Sequence, residues 1–411
     1  MSFTGIQSID GGGVVSPQGF AAATTRAGIK TEGDDLALIV SQTPAVAAAV
    51  FTQNQVKAAP VLISARHLAH AQHRAIVANA GNANCCTGAQ GAANAQRMCD
   101  LAAKQIGASA AEVLVCSTGI IGHALPMNQI EAAFPSLELS TGEALNEATA
   151  RAVMTTDTVP KFYAARATIN GAVVTVGGQA KGVGMIGPAM ASLDATSLHA
   201  TMLSFLTTDA AVEKMMLQRA LQEAVEHSFN SVTVDGDTST NDTCIVLANG
   251  ASGVQIGENE YSHFVELLQS VCVQLAKKVA RDGEGATKLV TIEVNGAQTP
   301  HDAKQIAMTV ANSPLVKTAI FGNDPNWGRL AMAAGRAGIA FDAAKLRIQL
   351  GEVEVFRDGE PSNFDLQQAQ AAMQTDNLTI SIQVGEGDAS WRAWTCDFSY
   401  DYVKINAEYH T

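Results

Sequence analysis

The stretch His199–Ala210, HATMLSFLTTDA, sets a threonine behind a small alanine at the head of an apolar run. Large apolar and β-branched residues in such a run predict a buried strand, and Thr201 has an ordinary place as its first residue. On the upstream side, ARATINGAVVTVGGQAKG (Ala165–Gly182) reads as two strands joined by Asn170-Gly171, a strong hairpin turn signal. Downstream, AAVEKMMLQRALQEAVEHSF (Ala210–Phe229) has the spacing of an amphipathic helix. A strand set between a hairpin and a helix points to sheets and helices in layers.

The rest of the chain keeps that rhythm. DDLALIVSQ and AVAAAVFTQN read as two strands, and APVLISARHLAHAQ as a helix starting at Pro60. RAIVANAG is a strand that ends in the small-residue turn GNANCCTG. AQGAANAQRMCDLAAKQIG is a helix stopped by Gly107, and AEVLVCSTGIIG a strand running into a glycine turn. SVTVDGDTSTNDTCIVLANG reads as two strands around a polar loop, followed by a long helix, YSHFVELLQSVCVQLAKKVARD. Past Lys288 the pattern changes to separate strands, KLVTIEVNGA, LRIQLGEVEVF and NLTISIQVG, around a helix near DAKQIAMTVANS. The expectation is an α+β fold with layered sheets, in two domains of residues 1–288 and 289–411.

Composition narrows the function. The 411 residues exceed one ordinary core, and 47% are hydrophobic while only 5% are aromatic, so the cores are built from Ala, Val, Ile and Leu. Twenty-six basic against 39 acidic side chains give a net charge of −13, which repels nucleic acid and anionic lipid. The seven cysteines include no Cys-x-x-Cys, so neither a zinc site nor a disulfide framework is indicated. No apolar run reaches membrane-spanning length, and MSFTGIQSIDGGGVVSP lacks signal-peptide features. The expectation is a reducing, cytoplasmic setting.

Several motifs carry two readings. KGVGMIG (Lys181–Gly187) matches G-x-G-x-x-G, but Pro188 follows and no first βα unit precedes it, so a tight turn is favoured over a dinucleotide site. His67, His70 and His73 recur on the expected helix without a carboxylate or cysteine partner, which favours solvated helix surface over a metal face. CSTGIIGH puts Thr118 and Gly119 at a strand end, where freed backbone N–H groups and a hydroxyl suit either an oxyanion or an ordinary turn. DGDTSTND carries three carboxylates but lacks the later glutamate of a calcium loop, and self-bonding polar turns explain it equally well. Glu284 in ARDGEGATK and Lys181 are paired candidates for an amino acid's ammonium and carboxylate, and each alone reads as a solvated charge.

Together these stretches resemble the ornithine acetyltransferases, or glutamate N-acetyltransferases, of arginine biosynthesis. DLALIVS, GNANCCTGAQG, STGIIGHALPM, TTDTVPK, AKGVGMIGPAMA, ATMLSFLTTDA, SFNSVTVDGDTSTND, DGEGATK, ANSPLVKTAIFGNDPNWGRLAMAAGRAGI and YDYVKINAEYHT carry the likeness along essentially the whole chain. The resemblance implies a layered α/β/β/α domain of the N-terminal-nucleophile type with a smaller C-terminal α+β domain. It implies self-cleavage between Ala200 and Thr201 into chains 1–200 and 201–411 that stay together, two pairs forming a heterotetramer. Carried over by residue, Thr201 is the nucleophile, Thr118 and Gly119 form the oxyanion hole, and Thr158, Lys181, Thr201, Glu284, Asn406 and Thr411 contact substrate.

One departure stands out. In the resembled family the threonine directly follows the Met-Ala of the glycine loop; here Met190-Ala191 leads into Ser192, and Thr201 comes nine residues later. Two registers compete, and the longer downstream match selects Thr201 over Ser192. The implied chemistry is a ping-pong transfer of acetyl from N-acetyl-L-ornithine to L-glutamate, with acetyl-CoA as a further candidate donor. A threonine hydroxyl is inert until a base takes its proton, and a new N-terminus supplies its own α-amine. No metal or tightly bound cofactor is required. The rivals are an N-terminal-nucleophile aminopeptidase or amidase passing acyl groups to water, a nicotinamide-dependent dehydrogenase, and a non-catalytic binding protein.

Overall fold

The computed structural model describes residues 5–187, 190–191 and 202–408. Ser192, Ala200, Thr201 and Thr411 lie outside the described residues. The chain forms two compact units, residues 1–230 with 237–275, and residues 231–236 with 276–410.

In the first unit the elements run β1 (Gln7–Ile9), β2 (Phe20–Thr25), β3 (Leu36–Phe51), α1 (Ala59–His67), β4 (His73–Asn82), α2 (Gly88–Ile106), β5 (Val113–Ile120), α3 (Met127–Ala133) and α4 (Ala144–Ala152). They continue with β6 (Lys161–Ile169), β7 (Ala172–Lys181), β8 (Leu203–Thr208), β9 (Ala211–Val212), α5 (Lys214–Glu226), β10 (Thr243–Ala248), β11 (Gln255–Ile256) and α6 (Glu258–Arg281), whose last turns belong to the second unit. The strands join edge to edge as β1-β6-β7-β8-β10-β3-β4-β5, with β2 also on β3.

The two expected strands around Ser41 are one strand, β3, that serves two sheets. Residues 36–41 pair with β2 and β4, whereas residues 46–51 pair with β10. The change of partner falls at exposed Gln42, Thr43 and Pro44, where proline has no N–H to give a ladder. Phe20, Ile39, Ile76 and Leu114 from one sheet pack with Phe51, Leu203, Phe205, Ile245 and Leu247 from the other. Leu38, Val40, Val77 and Val115 on the opposite face meet Ile63 of α1 and Met98, Cys99 and Ala102 of α2. On the far side, Gln218 of α5 donates to the Ala49 carbonyl at 3.0 Å, and Leu206 of β8 and Leu275 of α6 both crowd Gly178 of β7. The order is helix, sheet, sheet, helix. Each fully buried Leu, Ile or Phe contributes about 1.5–3 kcal/mol to that packing.

Local signals held where the backbone needs them. Asn170 (φ 50°) and Gly171 (φ 78°) close the β6–β7 hairpin, and Gly107 (φ 67°) ends α2 with its N–H on the Ala103 carbonyl. Two readings change. The histidines are not solvated helix surface: α1 stops at His67, and His67 and His73 are buried. His73 Nε2 donates to the His67 carbonyl at 3.1 Å, and burial holds its imidazole down at about 4. Between Ser231 and Gly250 the one strand is β10, and the expected strand beginning at Ser231 is reduced to a single parallel bridge from Val232 to Trp394.

The second unit contains β12 (Leu289–Ala297), α7 (Pro300–Ala311), α8 (Pro314–Phe321), α9 (Trp327–Gly335), β13 (Arg347–Leu350), β14 (Val353–Arg357), β15 (Glu360–Pro361), α10 (Leu366–Met373), β16 (Asn377–Gln383), β17 (Ala389–Cys396) and α11 (Tyr400–Glu408). Its sheet has the order β15-β14-β13-β16-β12-β17, parallel only between β12 and β16. Val290, Ile292 and Val294 alternate inward from β12 and pack with Ile306 and Val310 of α7 and Ile380 and Ile382 of β16. Thr299 caps α7 by accepting the Asp302 N–H at 3.1 Å, just before Pro300.

Candidate active site

The ends of β5, β7 and β8 meet in the first unit. β7 delivers Lys181, which is buried, and its Nζ donates to Thr118 Oγ1 at 3.1 Å and to Thr155 Oγ1 at 3.0 Å. A hydroxyl that accepts from a cation has its own proton left to donate and is the stronger donor for it. Thr118 is at the end of β5, and the next residue is Gly119 with φ 130°. A Cβ there would stand 2.3 Å from the Gly81 carbonyl carbon of β4, so only glycine permits this close strand approach.

Asp157 organises the segment TTDTVPK. Its Oδ1 accepts from Lys161 Nζ at 2.6 Å and from the Gly182 N–H at 2.9 Å, and its Oδ2 from the Thr155 N–H at 3.1 Å. Burial pushes this carboxyl up, yet the charges of Lys181 and Lys161 and the Gly182 N–H outweigh it and hold it at about 2. Gly182, with φ 144°, is the first glycine of KGVGMIG. The loop turns at a buried carboxylate, and among the described residues no helix starts there whose N-terminus would hold a pyrophosphate.

A third piece is the loop before β10. Thr52 Oγ1 donates to the Ser239 carbonyl at 2.6 Å, and the Thr52 N–H to the Asp242 carbonyl at 2.9 Å. Asn241 Nδ2 reaches two carbonyls, Ala83 at 2.7 Å and Ser117 at 2.8 Å, and its Oδ1 accepts from Thr240 Oγ1 at 2.6 Å. Ser117 immediately precedes Thr118. Asp242 Oδ1 accepts from the N–H of Met202, the residue that follows Thr201. Asn241 and Asp242 thus tie the strand bearing Thr118 to the start of the strand that Thr201 leads into. Thr155, Asp157, Asn241 and Asp242 were not among the residues singled out from sequence, although the motifs containing them were.

Thr158, in the Asp157 segment, is exposed. In the second unit Asn406 of α11 donates from Nδ2 to Glu284 Oε2 at 2.9 Å, so two of the residues named from the resemblance are in direct contact. Among the described residues no group of three or more His, Cys, Asp or Glu is gathered to hold a metal ion, and no helix is long and apolar enough to cross a membrane.

Two facing sheets between helical layers define a layered α+β protein. The profile of the ArgJ family matches residues 21–411. The arginine biosynthesis bifunctional protein ArgJ of Thermosynechococcus vestitus is 47% identical over 420 aligned residues, covering 97% of this chain and 98% of that protein. Its counterpart in Symbiobacterium thermophilum is 45% identical over 406 residues, covering 97% and 99%. The crystal structure of the arginine biosynthesis bifunctional protein of Bacillus halodurans superposes with a TM-score of 0.50 at 42% identity, covering 51% of this chain and all of that one. This chain belongs to the ArgJ family.

Proposed function

We propose that the chain is an acyltransferase of arginine biosynthesis that moves an acetyl group from N2-acetyl-L-ornithine to L-glutamate. The observation that carries this reading is near-half identity to ArgJ proteins over the full length of both partners. The same kinship favours this reading over the aminopeptidase and dehydrogenase alternatives, and two fragments on denaturing electrophoresis would separate it from a non-catalytic homologue that acts only as a binding protein.

In this reading the chain cuts itself between Ala200 and Thr201, and the free α-amine of Thr201 then serves as base for its own hydroxyl. Thr201 attacks the acetyl carbonyl, ornithine departs, and glutamate takes the acetyl group from the acyl-threonine. The Thr118 hydroxyl, backed by Lys181, and the Gly119 N–H stabilise the tetrahedral anion. Lys181 also pairs the substrate carboxylate. Thr158, Glu284, Asn406 and Thr411 are substrate contacts on the family reading.

Strand geometry supports Thr201 over Ser192. Met202 is bracketed by Asp242 and the Thr243 N–H, whereas Ala191 is bridged to Phe51. Phe51 pairs with Thr243, and Thr243 with Leu203. Ala191 is therefore about 14 Å from β8, three strand spacings of about 4.8 Å. Thr201 is bonded to the residue beside the Lys181 strand, and Ser192 to the residue on the distant side.

Thr201→Ala is expected to give a single uncut chain by denaturing electrophoresis and mass spectrometry, with no acetyl transfer. A Thr201→Ala protein that still splits and still acetylates glutamate refutes the assignment, and loss of activity in Ser192→Ala with Thr201 dispensable moves the nucleophile. Acetate release without glutamate would make the enzyme a hydrolase. The word "bifunctional" in the relatives' names supports acetyl-CoA as a second donor, tested by glutamate-dependent release of CoA thiol. Two cleaved pairs are expected to assemble as a heterotetramer, read by sedimentation, in the cytoplasm.

A further inference from the structure

Lys181 ends β7 with its side chain buried and its ammonium on the hydroxyls of Thr118 and Thr155. A lysine stem is flexible, so its head keeps one pose only where the surroundings impose it. Asp157 grips the chain on both sides of that contact. Its Oδ2 accepts the N–H of Thr155, whose hydroxyl Lys181 touches, and its Oδ1 accepts the N–H of Gly182, the residue after Lys181. The second of these sits at φ 144°, a conformation that suits glycine and few other residues. One carboxylate therefore fixes both the backbone at Lys181 and a hydroxyl on which its head rests.

Charge singles out the same residue. Neutral hydroxyls do not balance a buried ammonium. The charged groups that bear on Lys181 include Asp157, Asp242 before β10 and Lys30 in the loop after β2. Lys30 repels it. Burial drives the Asp242 carboxyl well above the usual carboxylate range, which makes it a weak counter-charge. Burial also opposes the charge on Asp157, yet Lys181, ahead of Lys161, outweighs it and holds this carboxyl at about 2. Lys161 Nζ, 2.6 Å from Oδ1 and without side-chain exposure, steadies the carboxylate.

We propose that Asp157 is a positioning residue for acetyl transfer: braced by Lys161, it clamps the Lys181 ammonium against Thr118, so that a fixed cation backs the hydroxyl offered to the tetrahedral anion. The proposal rests on the roles of Thr118 and Lys181 proposed above. Asp157 acts through Lys181 and takes no part in bond making or breaking. A cation already in place has no reorganisation left to undergo as negative charge develops, and preorganised groups of this kind are the effective ones. Lys161 serves Asp157, and Asp157 serves Lys181.

Asp157→Asn alone leaves the Lys161 ammonium buried and unmatched, so the decisive protein combines Asp157→Asn with Lys161→Met, which removes both charges and keeps the net charge. Thermal melting reports whether it has folded, and Asp157→Ser with Lys161→Met serves as the second variant. Nuclear magnetic resonance of the full chain with isotope-labelled lysine follows Lys181 directly, its signal identified by its loss in Lys181→Met. In the double variant that signal is expected to titrate about one pH unit or more below wild type, the scale of a lost opposite charge. Acetyl transfer is expected to fall about tenfold or more, a fraction of the loss for a deleted oxyanion donor, and its alkaline limb to move down with the signal. An Asp157 present only to pair Lys161 would leave signal and limb where they are in wild type. An unshifted Lys181 signal in the folded double variant, or transfer within about threefold of wild type, overturns the proposal. Transfer by Lys181→Met at the wild-type rate overturns the reading beneath it, whereas failure in Asp157 alone leaves Lys181 and Thr118 standing.

Discussion

Replacing Asn241 tests whether the loop before β10 holds the Thr118 strand in place. Its amide donates to the carbonyls of Ala83 and Ser117 at 2.7 and 2.8 Å inside a buried site. Asn241→Ala deletes both donors and strands two buried acceptors, each costing about 1–3 kcal/mol, so about 2–4 kcal/mol is expected after partial relaxation. Asn241→Asp keeps the shape but turns carboxyl oxygens toward two carbonyls. Ionised it is repelled by both, and protonated it has one proton for two acceptors. The cost is then about 3–5 kcal/mol, the scale of an uncompensated buried charge. Urea unfolding measures the stability loss, and acetyl transfer under folded conditions measures kcat and KM. Because Ser117 adjoins Thr118, kcat is expected to fall about tenfold or more, a fraction of the 100-fold or greater loss for a deleted oxyanion donor. KM should change little. Unfolding of Asn241→Asp at the wild-type urea midpoint, with undiminished kcat, would refute the reasoning.

Two other perturbations act through buried charge. Lys161→Met leaves Asp157 without the ammonium 2.6 Å away, in a pair with no side-chain exposure, and is expected to cost about 3–5 kcal/mol in a chemical denaturation curve. Adding Asp157→Asn should recover part of that loss, and equal stability of the single variant and wild type would contradict it. His73 is buried with Nδ1 unpartnered among the described residues, and its folded value of about 4 lies below the unfolded 6.5, so the unfolded chain takes up the proton first. Its contribution is complete above about pH 6.5 and is lost as pH falls toward 4, by about 3 kcal/mol. Unfolding free energies across that window should flatten in His73→Gln, and an unchanged slope would assign the effect elsewhere.

Local features were readable because neighbours in sequence decide them. Asn170-Gly171 needed two positive φ angles, and Gly107 a left-handed stop, whatever surrounded them. The strands of the second unit alternate apolar residues, and that period survives in β12 and β16. β3 was divided in two because Thr43 and Pro44 look like a turn, while tertiary pairing on both sides keeps the strand continuous. Lys181 and Thr118 were named through the family likeness, and their contact spans 63 positions that no spacing rule connects. DGDTSTND was weighed only as a metal loop or a self-bonded turn. Its Asn241 and Asp242 are spent instead on Ser117, Ala83 and Met202, partners visible only once the sheets are stacked.

If the proposed cleavage occurs, the strand order has a consequence for the severed molecule. β8 and β10 stand side by side, with β7 on one flank and β3 on the other. Scission ahead of β8, as proposed, would make the sheet a graft, two strands of the second fragment clasped between strands of the first. The fragments cannot drift apart without unzipping ladders on both flanks, so nicking leaves them acting as one body. Once denatured, however, they must find each other again by diffusion, and recovery becomes a second-order process that the unbroken precursor never faces.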